Sequence, residues 1–107
     1  MILNKKNFFK WLRQNVRTRN YVYKAKNRCT TCPVATFLKL HGAEAPLVGP
    51  FRYRLNDVGL VDEMGWIPLP KWATRVVQVS DKVHWKEKNT HTFGQLILDL
   101  RHAGVRP

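Results

Sequence analysis

The sequence predicts an α+β fold: a small single domain of three to four short helices with a small antiparallel β unit. Three observations predict it. Apolar residues recur at helical spacing near both ends of the chain, an alternating apolar/polar stretch lies in the middle, and 107 residues with 44% apolar and 11% aromatic side chains suffice for one core. No repeat, low-complexity stretch or linker interrupts residues 1–107, so one domain is expected. No apolar run approaches the ~18 residues of a membrane span, and the N-terminus has no uninterrupted apolar leader. A cytoplasmic protein without a membrane partner is therefore expected.

The first element is an amphipathic helix from about Asn4 to Val16. At about 100° per residue, Lys6, Lys10, Arg13 and Arg17 form one stripe, while Phe8, Phe9, Leu12 and Val16 fall on the far side with Trp11 at the margin. Residues 17–28 lack helical periodicity and read as a loop or short strand. Next, Pro33 suits a first helical position, Val34, Phe37, Leu38 and His41 recur at helical spacing, and Gly42 suits the residue past the end.

From Pro46 to Leu69 the chain reads as strands and turns. Phe51, Tyr53 and Leu55 alternate with Arg52 and Arg54, which predicts a strand with both arginines on its wet face, and Val58 to Val61 is expected to return as its partner. Trp72, Ala73, Val76, Val77 and Val83 fit a helix that opens beside Pro70, although the valine run also suits a strand. Thr92-Phe-Gly-Gln95 has the form of a capping box, Phe93, Leu96, Ile97 and Leu100 form an apolar face, and Gly104 marks the stop.

The charge is distributed unevenly. Residues 1–43 hold ten of the 19 Lys and Arg and no acid, so about +10 of the formal +12 belongs to the first two-fifths of the chain. A field of one sign points to a polyanionic partner, of which nucleic acid is the commonest, since a surface kept for solubility normally mixes its signs. The basic ridge is placed in residues 4–28, where Lys5, Lys6, Lys10, Arg13, Arg17, Arg19, Lys24, Lys26 and Arg28 are candidate phosphate contacts, with Arg52 and Arg54 extending them. Tyr21 and Tyr23 stand among these cations, as in surfaces that stack single-stranded bases. Tyr-Val-Tyr is equally the pattern of a half-buried strand.

Cys29 and Cys32 are too close in sequence to staple a long loop. Three chemistries suit them: zinc, with His41 as a third ligand; a redox pair at a helix start; or small buried residues at a helix entry. His41, His84, His91 and His102 include no second close-spaced pair, which disfavours a four-ligand zinc site, and no βαβ pattern surrounds the cysteines, so burial is the expected role and no cofactor is assigned. Phosphate-cradling glycine loops, nucleophile elbows and His-Glu-x-x-His are absent. Asp57, Asp62 and Glu63 are the clustered acids and fall in expected turns, so no enzymatic activity is expected.

Cys-x-x-Cys-Pro-Val-Ala-x-Phe-Leu, followed by Leu-Pro-x-Trp-Ala and Thr-Phe-Gly-Gln-Leu, resembles small uncharacterised proteins of phage and prophage type that share a Cys-Pro-(Leu/Val)-Ala helix. The resemblance spans about Cys29 to Leu100 and brings no catalytic residue. It implies a host-takeover or anti-defence setting, in which small basic proteins bind DNA or RNA or block a nucleic-acid machine such as a CRISPR effector. Two functions are expected from these readings: a non-enzymatic protein binding nucleic acid (DNA or RNA) through the N-terminal basic ridge, or an inhibitor docking the same cations on a host nucleic-acid-processing protein.

Overall fold

A computed structural model describes residues 3–24, 32–56, 59, 63–83 and 90–107. Helix α1 spans Lys5–Thr18 and runs two residues beyond the expected end. Asn4 caps it, its side-chain oxygen accepting from the Asn7 amide at 3.0 Å, and Leu3 and Phe8 occupy the positions of a hydrophobic staple, both buried in the core. Asn20 ends the segment with a φ of 49°, its amide donating to the Asn15 carbonyl at 2.7 Å. Asparagine is among the residues that tolerate this left-handed turn best.

Strand β1 (Val22–Lys24) settles part of the ambiguous segment after α1. It pairs antiparallel with β5 (Thr90–Thr92), setting Tyr23 opposite His91. Helix α2 (Pro33–Leu40) has Cys32 as N-cap and Pro33 at its first position, and it closes at Gly42, whose φ of 108° favours a residue without a Cβ. Strands β2 (Leu47–Val48), β3 (Arg52–Arg54) and β4 (Ile67–Pro68) form an antiparallel sheet in the order β2-β3-β4. The partners of β3 are therefore Leu47–Val48 and Ile67–Pro68. The expected return strand, Val58 to Val61, lies outside the described residues except for Gly59. Pro68 sits on an edge strand, where its missing donor breaks no ladder.

Helix α3 (Lys71–Val83) resolves the valine run as helix, with Ala73, Val76, Val77 and Val79 turned into the core. Helix α4 (Phe93–His102) buries Phe93, Leu96 and Leu100. Half of its expected capping box forms: Thr92 Oγ1 accepts from the Gln95 amide at 3.1 Å, but the Gln95 side chain donates to Asp99 at 3.0 Å instead of reaching back to the cap. The α+β expectation holds, with four helices and two small antiparallel sheets among the described residues.

The core is built around one ring. Phe8, fully buried on α1, has centroid distances of 5.6 Å to Phe9, 5.7 Å to Trp11, 5.4 Å to Phe37 of α2 and 5.3 Å to Trp72 of α3. Trp11 carries the contact on to Phe93 of α4 at 5.0 Å. Each such pair adds about 0.5–1.5 kcal/mol beyond the area it buries. Phe8→Ala is therefore expected to destabilise the protein by about 3–5 kcal/mol in denaturant melts. A loss below about 1 kcal/mol would show that the core is centred elsewhere.

Candidate nucleic-acid interface

Burying Phe8, Phe9 and Leu12 fixes the rotation of α1, and the opposite face follows from it. Lys6, Asn7, Lys10, Arg13, Gln14, Arg17 and Thr18 are all exposed, while Lys5, which helical spacing sets on the apolar side with Phe8 and Phe9, is half-buried. The outer surface of the helix thus consists of cations, amides and a hydroxyl. Arg17 in the last turn complements the helix dipole, but Lys5 and Lys6 stand at its positive end with no acid in the first turn. An anion bound there relieves that repulsion. Lys5, Lys6 and Arg13 also line, with Asn4 and Pro107, an open depression of about 450 Å³ along the flank of the ridge.

The ridge continues into the corner before β1. Arg19 is exposed, its guanidinium carbon 5.7 Å from the centre of the Tyr21 ring and its Nη1 donating to the Tyr21 hydroxyl at 3.4 Å. Tyr21 is 39% exposed, with its ring edge against Phe93. The corner is fastened to the start of α4: the Phe93 amide donates to the Tyr21 carbonyl at 2.7 Å, and the Gly94 amide to the Asn20 side chain at 2.8 Å. A Cβ at residue 94 would stand 3.0 Å from that Asn20 oxygen, so glycine permits the close approach.

Two expected contact residues are corrected by their burial. Tyr23 is 3% exposed, because pairing of β1 with β5 turns its ring toward Phe93 and His91, so it offers no stacking surface. Arg54 is 4% exposed rather than on a wet face. Arg52 and Arg54 project from the same side of β3 about 7 Å apart, and Trp66, leading into β4, sets its indole between them, 4.1 Å from each guanidinium carbon. Arg52 stays half-exposed and lies 4.0 Å from Glu63. Trp66 carried no functional signal in the sequence, since nothing local tells that a ring across the turn will cover a strand's outer face. Lys26, Arg28, Asp57, Asp62 and Cys29 lie outside the described residues, as does the side chain of Lys24.

The cysteine reading is also refined. Cys32 is 1% exposed, its sulfur accepting from the Ala35 amide at 3.4 Å, which makes it a buried helix cap. His41 sits at the opposite end of α2, roughly 13 Å away along the axis at 1.5 Å per residue, with Nδ1 2.8 Å from the Phe37 carbonyl. Cys32 and His41 cannot ligate one metal ion, which removes the Cys29, Cys32, His41 alternative. Among the described residues no three His, Cys, Asp or Glu side chains come together as a metal site. No helix there is long and apolar enough to cross a membrane.

Beneath the corner, the Tyr23 hydroxyl and His91 Nε2 are buried without a hydrogen-bond partner among the described residues. Burial first, then the acidic groups of Asp99, Cys32 and Asp81, raise the Tyr23 phenol above its ordinary value near 10. An unfolded chain releases that proton from about pH 10 upward while the folded protein retains it. Its stabilising contribution is thus complete below pH 10 and is lost as pH rises toward the folded value. Tyr23→Phe removes an unpartnered hydroxyl, so stability at pH 7 is expected to hold or rise by about 1 kcal/mol, with a shallower alkaline loss. Denaturant melts from pH 7 to 11 check this. A drop of more than about 1 kcal/mol at pH 7 would mean that the hydroxyl is bonded.

No family model, curated protein or solved structure matches this chain, so its function is argued from the geometry and charge of the site itself.

Proposed function

We propose that this protein binds nucleic acid through α1 and the Arg19–Tyr21 corner and catalyses no reaction on it. One observation carries the reading: every fully exposed side chain on α1 is a cation, an amide or a hydroxyl, and the helix that bears them is anchored through its aromatic face. Lys6, Lys10, Arg13 and Arg17 span about 16 Å of a rigid rod, which presents them to a row of phosphates at little further loss of backbone entropy. Like charges at these spacings cost a few tenths of a kcal/mol each, and phosphate contact reverses the sign of that term. Lys5, Arg19 and Tyr21 flank the same surface.

A second reading is supported by a different surface. Phe51 and Met64 are 68% and 51% exposed near the Arg52–Trp66 stack, which suits a protein partner, such as a host nucleic-acid-processing enzyme. In that case the basic ridge would meet an acidic surface or enter a nucleic-acid channel.

If about five phosphates are neutralised on duplex DNA, log K against log salt is expected to fall with a slope near −4.5. Gel shifts with short DNA and RNA at several salt concentrations measure it. Replacing Lys6, Lys10, Arg13 and Arg17 together with Gln should abolish most of the binding and leave the melting temperature close to the parent's, since these side chains face solvent. A flat salt response, or no binding at low salt, would favour the protein partner instead.

A further inference from the structure

We infer that α1 lies lengthwise in the major groove of duplex DNA, with its cations along one phosphate strand and its amides toward the base edges. The inference rests on the nucleic-acid reading above and specifies its ligand. At about 100° per residue, the exposed face of α1 divides into two edges. Lys6, Lys10, Arg13 and Arg17 fall within about 60° of arc, and Asn7, Gln14 and Thr18 occupy a second arc of about 40°, set about 40° beyond the first. The depression walled by Lys6 and Arg13 adjoins the cationic edge, which leaves room for a sugar-phosphate strand beside the helix.

The amide edge has the chemistry of base readout. Asn7 and Gln14 are seven residues apart, about 10.5 Å or close to three base-pair steps at 3.4 Å, and Asn and Gln are the side chains that pair with both major-groove positions of adenine. Thr18 Oγ1 donates to the Gln14 carbonyl, so its hydroxyl is engaged within the helix.

Shape discriminates among nucleic acids. A helix about 10–12 Å across fits the ~12 Å major groove of B-DNA, whereas the deep, narrow major groove of A-form RNA excludes it. A single strand needs successive aromatic platforms. Here Tyr23 is buried, Trp11 is packed between Phe37 and Phe93, and Tyr21 is held by Arg19. A convex cationic rod with one half-exposed ring is built for a groove rather than for stacking.

The test compares, by fluorescence anisotropy at fixed salt, a 20-base-pair DNA duplex, its single strand and the RNA duplex of the same sequence. The DNA duplex is expected to bind at least tenfold tighter than either other probe, and methyl green, which occupies the major groove, should displace the protein where netropsin in the minor groove does not. Lys10→Gln should lower the salt slope by about 1, while Asn7→Ala with Gln14→Ala should leave the slope unchanged and flatten the preference among duplexes of different sequence. Equal or tighter binding to the single strand or to RNA, or displacement by netropsin, overturns groove insertion and leaves the nucleic-acid reading standing. Failure to bind any of the three probes overturns both.

Discussion

The arrangement depends on anchoring α1 through its aromatic face. Phe8 touches rings from its own helix, α2 and α3, and Trp11 extends the contact to α4. Interiors pack closely enough that such a cluster admits one rotational setting of the helix. The direction in which Lys6, Lys10, Arg13 and Arg17 point is a by-product of that packing. A helix of 14 residues is marginal when free in solution, and like charges weaken it further; here its tertiary contacts hold it.

A second constraint acts where α1 gives way to β1. Asn20 turns the chain in a conformation few residues tolerate, and its side chain accepts from the Gly94 amide at the start of α4. One residue therefore ends α1, redirects the chain and satisfies a helix N-terminus. Arg19 and Tyr21 flank it, so the geometry of the corner is inherited from a contact that spans 74 residues of sequence.

At the three-stranded sheet, cations are managed differently. Arg54 is buried with its guanidinium against Trp66, and Arg52 shares the indole while keeping contact with solvent and Glu63. A weakly hydrated, planar cation stacks on a ring face in a way that a lysine ammonium would not. This sheet spends its arginines on structure, and α1 leaves its cations facing outward.

Local sequence alone determined the helical ends of the chain, the apolar face of α1, the Pro33 and Gly42 boundaries of α2 and the Thr92 cap, because each depends on residues within a turn or two of one another. It also determined the one-signed charge of the first two-fifths. Tertiary contacts decided the rest. Tyr23 went inward because β1 found β5 across most of the chain, and Arg54 was covered because Trp66 came from beyond a turn. The partners of β3 proved to be Leu47–Val48 and Ile67–Pro68, pairings that two-residue edge strands cannot announce locally. Cys32 and His41, nine residues or about two and a half helical turns apart, were separated by the rigidity of the helix between them. Local spacing specifies which face a residue occupies; what covers that face is a long-range property that no window of sequence contains.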